Sequence, residues 1–162
     1  MKDLHGQKNV YYQVNATYFS ALGEDERKLL LARAIQIFMP GKPQVWYLDL
    51  FAGKNDMAAV GADGSGGHKE INRTNVPRHM LDELLNQKIV QDQLTLLRFR
   101  AKCSAFDFGA QATITSHQPC CFCITWENNG FRAELKVDLR DYSFSVTALT
   151  ETSDVSFFME SK

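Results

Sequence analysis

The chain has 162 residues, of which 44% are hydrophobic and 23% are charged, with a formal net charge of −1. A chain of this length can bury roughly 70% of its unfolded surface, so we expect one domain spanning residues 1–162. The near-zero charge argues against a general nucleic-acid binder, which normally carries a basic excess. The sequence also shows neither the apolar core of a signal peptide nor a run approaching the ~20 apolar residues of a membrane span. These features predict a soluble, cytoplasmic protein.

Four elements are predicted before residue 92. Val10–Phe19 alternates apolar and polar residues, which is typical of a strand. Glu24–Met39 begins with acidic residues and then carries apolar residues at helical spacing, so it predicts an amphipathic helix. Gln44–Ala52 is almost continuously apolar, which favours a strand buried on both faces. Val76–Gln91 has a possible cap at its start and a proline in its first turn, so it predicts a second amphipathic helix.

The connection between Ala52 and Val76 is long for a compact domain and contains a glycine-rich stretch, Gly61–Lys69. That stretch lacks the Gly-Lys-Ser/Thr ending of a phosphate-binding loop, and about nine residues separate it from the predicted helix. We therefore interpret it as a mobile connector. Long loops are disproportionately functional, which keeps it among the candidate sites.

The region from Leu97 to Leu149 alternates apolar and polar residues and predicts five antiparallel strands. Its clearest hairpin pairs Cys120–Glu127 with Phe131–Arg140 across Asn129-Gly130, a dipeptide suited to a type I′ turn. This register places Ile124 opposite Leu135, and Glu127 opposite Arg132, with apolar and polar pairs on opposite faces. The other predicted strands are Leu97–Cys103, Phe106–Thr115 and Tyr142–Ala148. The predicted fold is α+β, an antiparallel meander of five or more strands with two amphipathic helices packed on one face.

The cysteines superficially resemble a metal site, because Cys120, Cys121 and Cys123 follow His117 closely and Cys103 lies elsewhere. Alternation along a strand turns Cys120 towards the core and turns Cys121 and Cys123 to the other face. Structural zinc sites instead use Cys-x2-Cys pairs on turns. We therefore expect no metal, and the lack of a nucleotide signature predicts no cofactor.

The sequence favours a non-enzymatic protein-binding module, such as a stoichiometric inhibitor or a toxin-neutralising immunity protein. Two helices on one face of the sheet would leave the other face open, beside the glycine-rich loop, with mixed charge and small side chains. A protein partner is expected, whereas a membrane or a nucleic-acid partner is not expected. The predicted binding residues are Gly64, Gly66, His68, Lys69, Gln111, Cys121, Cys123, Lys136 and Asp138.

Two alternatives stay open. In the first, the protein is an enzyme acting on a small substrate, with His68, His79 and Asp49 as an acid/base set around the long loop, because histidine transfers protons near neutral pH. In the second, the basic row Arg98, Arg100 and Lys102 binds an oligonucleotide. A charged edge strand that resists aggregation is the simpler interpretation of that row.

Overall fold

A computed structural model describes residues 14–61, 70–152 and 154–161. The fold is α+β, with the helices in the first two thirds of the chain and five antiparallel strands in one sheet after them. The α-helices are α1 (Tyr18–Ala21), α2 (Glu26–Phe38), α3 (Tyr47–Leu50), α4 (Met57–Gly61), α5 (Leu81–Leu85) and α6 (Lys88–Lys102), and short 3₁₀ helices span Arg78–Met80 and Ser104–Phe106.

The sheet is a simple meander in which each strand pairs with the next one along the chain. Because consecutive strands are joined by short turns, all four pairings are antiparallel. The strands are β1 (Gln111–Gln118), β2 (Cys121–Asn128), β3 (Phe131–Asp138), β4 (Ser143–Leu149) and β5 (Val155–Ser161).

The central hairpin has the predicted register. Ile124 pairs with Leu135 and Glu127 pairs with Arg132, as in the alternating pattern. Asn129 and Gly130 have φ angles of 46° and 85°, the positive values that a type I′ turn requires at both positions. The prediction for this hairpin is confirmed.

Helix α2 forms as predicted, between Glu26 and Phe38. The side chain of Asp25 caps it by accepting hydrogen bonds from the amides of Arg27 and Lys28. Its buried side chains join those of α6 and of the sheet in one hydrophobic core. The core residues with no exposed surface are Leu29, Ala34, Ile37, Phe38, Val90, Leu96, Ala105, Ala133, Leu135 and Val146.

Two predicted strands in the first half are wrong. Within Val10–Phe19, residues 10–13 lie outside the described part of the chain, and the remainder is irregular until α1 begins at Tyr18. Gln44–Ala52 contains the short helix α3 instead of a strand, and within that helix only Leu48 is buried. A run of apolar residues this short does not distinguish a buried strand from a helical turn, and here the tertiary contacts decide.

The helix predicted over Val76–Gln91 is two helices, because α5 ends at Leu85 and α6 begins at Lys88. Helix α6 then continues to Lys102, so the strand predicted over Leu97–Cys103 is wrong. Its buried side chains recur at helical spacing, and they are Ile89, Val90, Gln93, Leu96 and Phe99.

The predicted strand Phe106–Thr115 starts later than expected, at Gln111, and leaves Phe108 fully exposed. Ile114 pairs with Ile124, as alternation predicts, but it is 63% exposed because β1 is an edge strand. Cys120 is also exposed, in a turn with a φ of 68°, so its predicted position in the core is wrong. Strand β5 was not predicted.

Candidate functional site

The strongest candidate site is a set of three loop segments at the helical end of the molecule, residues 15–24, 46–56 and 70–75, which we call the loop cluster. These segments are far apart in sequence and are held together by hydrogen bonds between side chains and backbone. The amide of Thr17 donates to Asn55 Oδ1 over 2.7 Å, and the amide of Asn55 donates to Ser20 Oγ over 3.0 Å. Such contacts fix the conformation of loops that would otherwise be mobile.

Two aromatic side chains anchor the third segment of the loop cluster. Trp46 Nε1 donates to the carbonyl of Asn72 over 3.2 Å, and the Tyr47 hydroxyl donates to the carbonyl of Thr74 over 2.8 Å. Trp46 is 51% exposed, and its ring lies 4.9 Å from the Tyr47 ring, centroid to centroid. The loop cluster therefore presents aromatic surface to its surroundings, as binding surfaces commonly do.

Beneath the loop cluster lies a buried guanidinium. Arg33 is 2% exposed, and its Nε donates to Gln93 Oε1 over 2.9 Å, while Gln93 Nε2 donates to the carbonyl of Leu50. Burial lowers the pKa of Arg33, and the nearby Asp49 carboxylate and Tyr18 oppose that shift. Asp49 Oδ1 also accepts the amide of Tyr18 over 2.7 Å. Helices α2 and α6 are thus connected to the loop cluster through polar contacts.

Gly53 is required where the chain after α3 packs against Leu48 of that helix. A Cβ atom at this position would lie 2.4 Å from Leu48 Cδ1 and 3.0 Å from the Leu48 carbonyl oxygen. Leu48 is buried and cannot move away freely. We expect Gly53→Ala to lower the free energy of unfolding by about 1–3 kcal/mol, the usual cost of overpacking, measured by urea denaturation. A Gly53→Ala protein as stable as the parent would contradict this packing.

The polar face of the sheet is a second candidate, and it contains most of the predicted binding residues that the structure describes. A hollow of about 530 Å³ on this face is lined by Cys121, Cys123 and Lys136, among others. Asp138 pairs with Arg140 at the end of β3, and this pairing lowers the pKa of its carboxyl well below the usual range. Gln111 lies on the exposed edge strand.

Glu134 is central to the charges of this polar face. It accepts hydrogen bonds from Arg132 over 2.8 Å and from Lys136 over 2.9 Å. Partial burial raises the pKa of Glu134, but these two cations outweigh it and hold the pKa below the ordinary 4.5. The face is therefore internally neutralised and offers no unpaired carboxylate at this position.

A pH dependence follows from that lowered pKa. Because the folded state holds Glu134 more acidic than the unfolded state does, its contribution is present above pH 4.5 and is lost as the pH falls through the folded pKa. We expect Glu134→Gln to lower stability at pH 7 by less than about 1 kcal/mol, since the pairs are near the surface. In urea denaturation at pH 3, the difference in unfolding free energy between parent and variant should vanish. A difference in unfolding free energy that is equal at pH 7 and pH 3 would contradict this assignment.

Of the remaining predicted residues, the structure describes His79 and Asp49 and places them on different elements. Gly64, Gly66, His68 and Lys69 lie outside the described residues. His79 is exposed on a 3₁₀ helix, whereas Asp49 belongs to the loop cluster. Among residues 14–61, 70–152 and 154–161, no group of three or more His, Cys, Asp or Glu side chains is placed to hold a metal ion.

The predicted basic row is divided between two sides of a helix. Arg100 stacks on Phe106, with its guanidinium carbon 4.0 Å from the ring centroid, and donates to the carbonyl of Gly41. Arg98 and Lys102 project from the other side of α6. No helix in the described part of the chain has the length and apolar composition needed to cross a membrane.

Sequence and structure comparisons place the chain beside a class of enzymes, the phosphorylases of sucrose and related glucosides. It is 49% identical over 142 residues to a sucrose 6(F)-phosphate phosphorylase of Ilumatobacter coccineus, and 37% identical over 143 residues to one of Thermoanaerobacterium thermosaccharolyticum. Each match covers 88% of this chain, which spans 27% and 28% of the two relatives. No family model matches the chain.

A solved structure supports the same relationship. The crystal structure of sucrose 6F-phosphate phosphorylase from Thermoanaerobacter thermosaccharolyticum superposes with a TM-score of 0.82 and 34% identity, over 99% of this chain and 31% of that one. The relatives are enzymes, so the predicted inhibitor or immunity protein is wrong. The enzyme alternative agrees better with these comparisons.

Proposed function

We propose that this chain forms part of a phosphorylase that cleaves sucrose or sucrose 6F-phosphate with inorganic phosphate. The observation that carries this proposal is the 49% identity to the Ilumatobacter coccineus enzyme over 88% of the chain. Sequence similarity at this level is accompanied by similarity of fold, since a phosphorylase structure superposes over nearly the whole chain. The chain spans only about a quarter of each relative, so its proposed role is that of one portion of the enzyme.

The described residues of the loop cluster fit a positioning role better than an acid/base role. Glycoside chemistry commonly uses two carboxyl groups that flank the bond being broken. In this part of the chain, Glu24 pairs with Lys54 over 2.6 Å and Glu70 pairs with Arg73 over 3.5 Å. Asp56 accepts the amides at the start of α4, and Asp49 accepts the amide of Tyr18. Each of these carboxylates already holds the local backbone or a neighbouring cation.

Positioning residues of this kind affect catalysis through geometry. A loop held to within a fraction of an ångström keeps substrate and reacting groups aligned, and misplacement by about 1 Å can cost about a hundredfold in rate. The Tyr47 hydroxyl and Trp46 Nε1 hold residues 70–75 against α3. The loop cluster would thus give one wall of a substrate site a fixed shape.

The test is a chimera in which this chain replaces the matching residues of the Ilumatobacter coccineus enzyme. We expect the chimera to release a glycosyl phosphate from sucrose 6F-phosphate only when inorganic phosphate is present. The rate should lie within about tenfold of the parent enzyme, which corresponds to about 1.4 kcal/mol in the barrier. A chimera that is folded by circular dichroism and thermal melting but releases no glycosyl phosphate would contradict the proposal.

A matched pair of tyrosine variants tests the positioning role in that chimera. Tyr47→Phe removes the hydroxyl that donates to Thr74, so we expect the rate of phosphorolysis to fall about tenfold. Tyr142→Phe makes the same chemical change in the turn between β3 and β4, where the ring lies against Lys28, and should leave the rate unchanged. Equal rates for the two variants, measured at saturating phosphate, would rule out this role for Tyr47.

Several finer predictions are part of this proposal. We propose that residues 1–162 form one domain, which the core shared by α2, α6 and the sheet supports. Two amphipathic helices on one face of the sheet would be α2 and α6, since both bury side chains in that core. A protein partner and a cytoplasmic location remain predictions.

A further inference from the structure

A cleft separate from the loop cluster lies between α6 and the end of the sheet beside the Asn129-Gly130 turn; we call it the α6 cleft. Its volume is about 420 Å³, within the range of sites that hold small molecules. One wall is a stripe of α6 at helical spacing, formed by Thr95, Arg98, Phe99 and Lys102. Cys103 and Ser104 close the end of the helix.

The floor of the α6 cleft is apolar and largely aromatic. Phe131, Leu149 and Phe157 line it from three neighbouring strands. The Phe157 ring stacks on the Phe99 ring with centroids 4.3 Å apart and an angle of 21° between the planes. Three phenyl rings in one cleft favour a flat, apolar ligand that can stack or pack edge-on against them.

The rim of the α6 cleft is cationic. Arg98 and Lys102 are four residues apart on α6, so they lie one turn apart on the same side of the helix. Both are exposed, and neither forms an ion pair with a carboxylate among the described residues. The described residues that line the cleft include no aspartate or glutamate. Two unpaired cations above an apolar floor complement a ligand with an anionic group at one end.

We propose that the α6 cleft binds a small aromatic monoanion, such as an aryl carboxylate or aryl sulfonate. The ring would lie against Phe99, Phe131 and Phe157, while the anionic group would accept hydrogen bonds from Arg98 and Lys102. A sugar phosphate would leave the apolar floor uncovered and is therefore the poorer ligand. This site does not overlap the loop cluster, because none of its lining residues belongs to that cluster.

The probe for this site is 8-anilinonaphthalene-1-sulfonate, followed by its fluorescence on binding to the native chain. The neutral control is N-phenyl-1-naphthylamine, which has the same rings without the sulfonate. Arg98→Gln combined with Lys102→Gln should weaken binding of the anionic probe by about tenfold or more, since hydrogen bonds to charged groups are lost. Arg78→Gln removes an exposed cation elsewhere and should leave its affinity unchanged.

A second readout locates the probe by cysteine alkylation. Cys103 lines the cleft and is half-buried, whereas Cys120 is exposed in the β1–β2 turn. Saturating anionic probe should slow the reaction of Cys103 with iodoacetamide at least about fivefold and leave Cys120 unchanged, as measured by peptide mass spectrometry. Unchanged affinity in the double variant, equal affinity for the neutral control, or unprotected Cys103 would each overturn the proposal.

Discussion

Ile124→Ala should lower the free energy of unfolding by about 2–5 kcal/mol, because truncating a buried aliphatic side chain removes its burial and leaves a cavity. Ile124 is 1% exposed on β2, the second strand of the sheet, and belongs to the core that also contains side chains of α2 and α6. The chain offers a matched control in Ile114, which is its cross-strand partner on β1 and is 63% exposed. Ile114→Ala should change stability by no more than about 0.5 kcal/mol.

Urea denaturation of both variants distinguishes the predicted register from a shifted one. If the strands were displaced by one residue, Ile124 would point to the polar face and its truncation would cost as little as that of Ile114. Equal losses for the two isoleucines would therefore contradict the sheet as described. Because both substitutions remove the same atoms, only the difference between their two losses in unfolding free energy needs to be measured.

Gln93→Leu should lower the free energy of unfolding by about 3 kcal/mol or more, although leucine fills nearly the same volume. The change removes the acceptor of Arg33 Nε and the donor to the Leu50 carbonyl, and it leaves a buried cation with fewer partners. Arg33 Nη2 already lacks a hydrogen-bond partner among the described residues. Gln93 and Gln36 are the side chains that accept hydrogen bonds from the buried guanidinium, so losing Gln93 leaves only one of these two acceptors.

Gln91→Leu is the matched control for that prediction, because Gln91 lies two residues earlier on the exposed side of α6. We expect a change of no more than about 0.5 kcal/mol there. Both variants can be compared by thermal melting at pH 7 with the same salt. A Gln93→Leu protein as stable as the Gln91→Leu protein would show that the polar contact contributes nothing to folding.

The sheet was predictable from local sequence because its signals are local. Asn129-Gly130 sets the turn, and one register alone places Ile124 opposite Leu135 while keeping Glu127 opposite Arg132. In strand β5, Phe157 and Met159 pack against the core, whereas Val155 lies beyond a bulge and is exposed, so the alternating pattern covers only part of the strand.

The second half of α6, from Leu97, is wrongly predicted as a strand because its charges happen to alternate. Arg98, Arg100 and Lys102 satisfy a period of two, but the buried residues of the helix begin earlier, at Ile89, and include the polar Gln93. A buried glutamine gives no hydrophobic signal, and the break between Leu85 and Lys88 contains neither glycine nor proline to mark it.

The loop cluster could be predicted only in part. The sequence points to Asp49 as one member of an acid/base set and to the long connection as a candidate site. The contacts that define the cluster join Thr17 to Asn55 and Trp46 to Asn72, and these positions are 38 and 26 residues apart in sequence. Long-range contacts between polar side chains and backbone leave no periodic trace in a single sequence, so tertiary structure was needed to find them.

The most direct test of the proposed function uses the polypeptide that carries these residues in the cell. It would be captured with an antibody against the sheet and incubated with sucrose and, separately, with sucrose 6F-phosphate, each with and without inorganic phosphate. We expect a glycosyl phosphate to be released, and only when phosphate is present. Failure to cleave the sugar, or cleavage by water at the same rate without phosphate, would contradict the assignment of this chain to a phosphorylase.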